Sequence, residues 1–272
     1  MFHTKTLLQK HFFYVKLNYM AKILAFSNQK GGVGKTTTCV NLAATIATYG
    51  KRVLVVDLDS QSNASSALGV FDKNLKCSTY SVLCEGKDAR DCLVGTETNG
   101  LYLLPSCRDL AGAELELAPL KGREQMLSKG LEPIREDFDY IFIDCAPSLG
   151  LVTINALVAS NGVIVPLVCE YFALEGLAQM MNTLRLVRKF LNPSVNIEGV
   201  VLTMYDGRSR LTREVRAEID KLFGSKVFET VIPKNIRLAE APSYGKPISL
   251  YDKKCAGAVA YDSLAKEFIQ KI

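Results

Sequence analysis

The chain has 272 residues, 48% of them hydrophobic and 22% charged, with a net charge of +5. That is enough for one α/β domain with a large core, and no stretch reaches the roughly 18 apolar residues of a membrane-spanning helix. Eight scattered cysteines without a C-x-x-C pair, and only two histidines (His3 and His11), argue against a disulfide framework or a Cys/His zinc site. They suit a cytosolic protein with reduced, mostly buried thiols.

The basic surplus sits at the two ends. Residues 1–19 hold three lysines and no acid, and residues 205–272 hold 13 basic against 9 acidic residues. A basic final third can serve a polyanion. Residues 1–19 lack a signal-peptide core and cleavage site, so a disordered extension or a misassigned start before Met20 is expected, with a basic aromatic arm as the alternative. Residues 20–272 then form a single domain.

The first organised stretch is the apolar run Ile23, Leu24, Ala25 and Phe26, of the kind that forms a buried parallel strand. It leads into the glycine-rich segment 27–38, and then into a helix with Val40, Leu42, Ala43, Ile46 and Ala47 at helical spacing, closed by Gly50. Strand, glycine-rich loop and helix are the context of a phosphate-binding loop. Gly31, Gly32 and Gly34 let the backbone amides of the loop, with those of Val33, Lys35, Thr36 and Thr37, approach phosphate oxygens. Lys35 would reach the β- and γ-phosphates, and the Thr36 hydroxyl would bind Mg²⁺.

Residues 53–57 are a second apolar strand ending in Asp57, with Asp59 two residues on. Carboxylates at the C-terminal end of a buried parallel strand lie where such sheets bind ligands, and alternation points both to one site, with capping of a helix near residues 61–68 as the alternative role. Residues 69–100 read as short helices and loops, punctuated at Asp72, Asn74, Gly86, Gly95 and Asn99. Residues 101–104 form a strand, and residues 109–136 show helical periodicity. The run 140–144, largely apolar and ending in Asp144, matches a Walker B strand whose carboxylate holds Mg²⁺ through water. Residues 162–168 are another strand, losing regularity near Pro166, and residues 197–204 a further one. Between them lies an amphipathic helix to about Leu191. A helix after Arg210 places Leu211, Val215, Ile219 and Leu222 on one face, and a last helix over 254–272 packs on the sheet through Leu264 and Phe268.

The string Lys30, Gly31, Gly32, Val33, Gly34, Lys35, Thr36, Thr37 departs from the usual G-x-x-x-x-G-K-[ST], since Gln29 stands where the first glycine belongs. It resembles the deviant Walker A motif of the ParA/MinD group of P-loop ATPases. The segments 144–150 (with Ala146 in place of a proline), 170–176 and above all 231–248 are similar to the ParA/Soj branch.

The resemblance implies a mostly parallel, doubly wound sheet flanked by helices, and an ATP- and Mg²⁺-dependent ATPase. In it Lys30 reaches a partner's nucleotide in an ATP-dependent homodimer, Asp59 places the attacking water and Asp57 supports the hydrated metal. Pro233 and Asn235 lie at the adenine, and Arg208 and Arg237 hold non-specific DNA through its backbone. A ParB-type centromere-binding partner and a cytoplasmic, nucleoid-associated protein with no membrane contact follow from the same resemblance. Three other readings stay open: a MinD-like membrane-cycling ATPase, a positioner of another cargo, and a nitrogenase-reductase-like carrier using cysteines such as Cys145 and Cys169.

Overall fold

The computed structural model describes residues 20–71 and 75–272; the expectations for residues 1–19, Asp72 and Asn74 lie outside them. Seven strands form one sheet in the order β3-β4-β2-β5-β1-β6-β7: β1 (Lys22–Phe26), β2 (Val53–Leu58), β3 (Val94–Gly95), β4 (Leu101–Leu104), β5 (Tyr140–Cys145), β6 (Gly162–Val168) and β7 (Ile197–Thr203). Every pairing is parallel except that of β3 with β4. The central strands are buried almost throughout and mostly apolar, because both faces are covered, with Asp57 and Asp144 near their C-terminal ends. In β1, Ile23 and Ala25 pack on one face, while Leu24 and Phe26 pack on the other.

Helix α1 (Lys35–Thr48) covers the second face. Then come α2 (Asn63–Ala67), α3 (Thr79–Cys84), α4 (Ala89–Cys92), α5 (Ala113–Leu117), α6 (Met126–Leu131) and α7 (Leu151–Ala159), most of them on the first face. The long α8 (Ala173–Phe190) and α9 (Arg210–Phe223) flank β7, and the short α10 (Ile236–Glu240) and α11 (Ile248–Tyr251) lead to α12 (Ala256–Lys271). As expected, α12 packs on the sheet. Phe268 meets Tyr140 and Phe142 edge-on at centroid distances of 5.4 and 5.5 Å, and the Tyr261 hydroxyl lies 3.2 Å from that of Thr38 on α1.

Four local expectations are corrected. Residues 109–136 are not one helix but short α and 3₁₀ turns, interrupted at Gly122 and Pro133. The irregularity of β6 lies between Val163 and Ile164; its pairing with β7 runs on through Pro166, whose carbonyl accepts from the Asn28 side chain. On α9 the buried positions are Thr212, Val215 and Ile219, while Leu211 and Leu222 are exposed. Finally, Cys77 and Cys92 pair in a disulfide with a Cα–Cα distance of 5.1 Å, because α3 and α4 fold back on each other. The other six cysteines are free thiols.

Candidate nucleotide site

The C-terminal ends of β1, β2 and β5 converge on the loop 27–34, because these strands run in parallel and in register. Phe26 pairs with Asp144, and Asp144 with Asp57. The loop turns back through Gly32 and Gly34, both left-handed (φ +72° and +82°), which a side chain would strain. Apart from the adjoining residues of the chain, no protein atom lies within 4 Å of where a Cβ would stand at Gly31 or Gly32. Gly34 is the N-cap of α1 and has no side chain to cap it, so the first amides of the helix stay available to an anion.

A cleft of about 390 Å³ opens above this loop, lined by Gly31, Gly32, Gly34, Lys35, Thr36 and Thr37, with Asp59 and Pro147 opposite. Lys35 is 7% exposed, and its ammonium donates to the Lys30 carbonyl at 3.1 Å. Burial pulls its pKa below the usual lysine range, and the charges of Asp144, Cys145 and Asp59 oppose this.

Beneath the cleft lie the two carboxylates of the adjacent strands. Asp144 is fully buried, and neither of its oxygens has a hydrogen-bond partner. Burial, then the neighbouring charge of Asp57, pushes its pKa well above the ordinary range, while the nearby Thr36 hydroxyl pulls it down. A buried carboxylate whose neighbouring donor, the Thr36 hydroxyl, does not reach hydrogen-bond geometry is costly for the protein by itself and suits a hydrated cation. The donors here are hard oxygens, as Mg²⁺ prefers. Among the described residues no group of three or more His, Cys, Asp or Glu side chains could hold a metal alone. A metal at Asp144 and Thr36 would therefore complete its shell with water and nucleotide oxygens.

Asp57 and Asp59 part company. Asp59 lines the cleft and accepts from the Gln61 amide at 3.0 Å. Asp57 is fully buried and turns to α2, accepting from the Ser65 amide and hydroxyl at 2.8 and 2.7 Å. It therefore does serve α2, and reaches the metal position only as a neighbour of Asp144. Burial pushes its pKa up to about 6, against the hydrogen bonds from Ser65.

Lys30 points away from the cleft and forms an ion pair with Glu170 on the loop after β6. Val33 is buried, and its carbonyl accepts from the Thr203 hydroxyl at 2.8 Å, which ties β7 to the loop. Pro233 and Asn235 line a second, largely apolar cavity of about 500 Å³ that shares Gly34, Thr37 and Met204 with the first. Asn235 also caps α10, accepting from the Arg237 amide. Arg208 and Arg237 are solvent-exposed, each held by acids of its own neighbourhood: Arg208 by Asp206 at 2.9 Å, Arg237 by Glu240 at 2.8 Å and Asp252 at 3.7 Å. Cys145 and Cys169 are buried, so neither thiol is placed to share a cluster with a second subunit.

Sequence reasoning missed Thr203, Met204 and Asn41. Asn41 lines the cleft from α1 and accepts from the Ile248 amide at 2.6 Å, fastening α11 beside it. Met204 has a left-handed backbone (φ 49°), rare for a side chain of its size. Only the turn after β7 could have pointed to it.

A family model described as "AAA domain" matches residues 21–197. The sporulation initiation inhibitor protein Soj of Bacillus subtilis (strain 168) is 53% identical over 248 residues, covering 91% of this chain and 98% of that protein. The chromosome partitioning protein ParA of Caulobacter vibrioides (strain NA1000 / CB15N) is 48% identical over 252 residues, covering 92% and 94%. Among solved structures, cobyrinic acid a,c-diamide synthase of Mycobacterium smegmatis with bound ATP analog and magnesium superposes with a TM-score of 0.80 at 36% identity, covering 92% of this chain and 95% of that one. The cell division ATPase MinD of Pyrococcus furiosus superposes with a TM-score of 0.76 at 26% identity, covering 92% and 99%. With that likeness along nearly its whole length, on a fold and a loop of the same kind, this chain belongs to the ParA/Soj family of partitioning ATPases, in the ParA/MinD P-loop group.

Proposed function

We propose that this chain hydrolyses ATP to ADP and phosphate with Mg²⁺, closes into a dimer when ATP is bound, and holds DNA non-specifically to drive chromosome or plasmid segregation with a ParB-type partner. The observation that carries the catalytic part is the fully buried Asp144 carboxylate beside Lys35 and Thr36, two residues that line the glycine-rich cleft. The names and bound ligands of the relatives support the same reading.

The chain's own groups divide the work. Loop amides and the Lys35 ammonium bind the phosphates and stabilise charge as the γ-phosphoryl leaves. Asp144 and the Thr36 hydroxyl hold the metal position, which Asp57 supports from below. A Mg²⁺ ion held there would supply charge neutralisation for the phosphates. Asp59, on the cleft wall, orients the attacking water. Pro233 and Asn235, in the apolar cavity, receive the adenine. For Lys30 to act on a partner's nucleotide it must leave Glu170, so dimer closure exchanges one anion for another.

Arg208 and Arg237, outside the cleft, bind DNA phosphates without reading sequence. No helix among the described residues is long and apolar enough to cross a membrane. We place the protein in the cytoplasm on the nucleoid. Phosphate release from ATP, measured with wild type, Lys35→Ala and Asp59→Ala, tests the enzymatic part. Turnover should need Mg²⁺ and vanish in both variants, with Asp59→Ala alone retaining ATP and accumulating as a dimer in light scattering. Unchanged turnover in Lys35→Ala would refute it.

A further inference from the structure

At the end of the sheet remote from the nucleotide cleft, a groove of about 650 Å³ runs between the second half of α8, the end of α9 and the start of β7. Its apolar lining includes Met181, Leu184, Leu222 and Phe223, of which Met181 and Leu222 are 41% and 66% exposed. Its charged lining is entirely cationic: Arg185, Arg188, Lys189 and Lys226. Lys226 is spent on the Ile197 carbonyl at 2.7 Å, whereas Arg185, Arg188 and Lys189 make no ion pair among the described residues. The neighbouring acids are already engaged outside the groove: Glu198 with Lys22, Asp220 with Arg216, and Glu218 with Lys221.

The pattern of α8 explains how this surface arises. Its buried stripe is Leu177, Met180, Leu184 and Val187, which leaves Leu186 and Phe190 on the solvent side at 58% and 67% exposure. Large apolar side chains beside unpaired cations, around a concave apolar floor, mark an interaction site.

We propose that this groove docks an acidic amphipathic helix of a partner protein, its apolar stripe on Met181, Leu184 and Leu222 and its carboxylates on Arg185, Arg188 and Lys189. Charge complementarity selects the acid, since every charged group lining the groove is positive. The apolar floor favours a helix with a hydrophobic face over duplex DNA, whose interfaces are more polar. The proposal is independent of the nucleotide chemistry, because the groove shares no lining residue with the cleft.

The test uses the full-length protein and a fluorescent synthetic peptide of about five turns, with leucines at i, i+3, i+4 and i+7 and glutamates elsewhere. A lysine-for-glutamate counterpart, duplex DNA and phosphatidylglycerol vesicles run beside it. The variants are Arg185→Glu/Arg188→Glu and Leu222→Ser, all at exposed positions, with unfolding midpoints checked first. The acidic peptide should bind and shift the methyl resonance of Met181 but not that of Met204. Affinity should fall about tenfold in each variant, and the double charge reversal should prefer the lysine peptide. The proposal is overturned if the acidic peptide does not bind, binds without moving Met181, or binds Leu222→Ser as well as wild type. Loss of DNA or vesicle binding in the charge reversal, without any peptide binding, would overturn it in favour of those surfaces.

Discussion

Replacing Asp57 by asparagine should make the nucleotide-free protein more stable at neutral pH. Asp57 is wholly buried, and its pKa is pushed from the ordinary 3.8 up to about 6. A carboxyl with a raised folded pKa binds its proton more tightly in the native state, so stability falls as pH rises from the unfolded value through the folded one. At about 1.4 kcal/mol per pH unit, the gap is worth about 3 kcal/mol, present below pH 4 and lost by about pH 6 to 7. Asparagine keeps an acceptor for the Ser65 amide and hydroxyl and carries no charge. It also relieves Asp144, whose pKa the Asp57 charge helps to raise. Urea unfolding of wild type and Asp57→Asn, without nucleotide or Mg²⁺, at several values between pH 4 and 7.5, should show the variant gaining up to about 3 kcal/mol relative to wild type across that window. A difference that does not change with pH would refute the burial argument.

Three further outcomes concern exposed ion pairs. Because Arg237 and Arg208 are each held by local acids, Arg237→Ala should make the salt dependence of DNA binding about one unit shallower, and Asp206→Asn should strengthen binding by freeing Arg208, both read by fluorescence anisotropy across a salt series. Glu170→Gln should let Lys30 go, so ATP-driven dimerisation should set in at lower protein concentration in light scattering; an unchanged or higher threshold would mean that this contact does not restrain Lys30.

Much of this was legible in the sequence, because the decisive features are local. Fully buried parallel strands read as short apolar runs, and the phosphate-binding loop is a contiguous string whose glycines and lysine have one physical use. Asp144 could be placed because it ends such a run. The failures concern partners distant in the chain. The sequence put Asp57 and Asp59 at one site by alternation, but Ser65, eight residues on, captures the first carboxylate while the second follows the chain into the cleft.

Spacing puts Leu211, Val215, Ile219 and Leu222 on one face of α9, but the contact of that face is narrow: Val215 and Ile219 are buried, and Leu211 and Leu222 are left exposed. The two-residue strand β3 is shorter than any periodicity can register. The Cys77–Cys92 pairing, and the hydroxyl of Thr203 on the loop carbonyl of Val33, depend on how separate segments meet in space.

The most direct test of the central claim is binding of Asp59→Ala to non-specific duplex DNA with ATP or with ADP over a salt series, with liposomes alongside. The account predicts binding with ATP only, weakening steeply as salt rises, and no liposome binding. DNA binding that ignores the nucleotide, or is absent in both states, would contradict it, and ATP-dependent liposome binding in its place would make this a membrane-cycling relative instead.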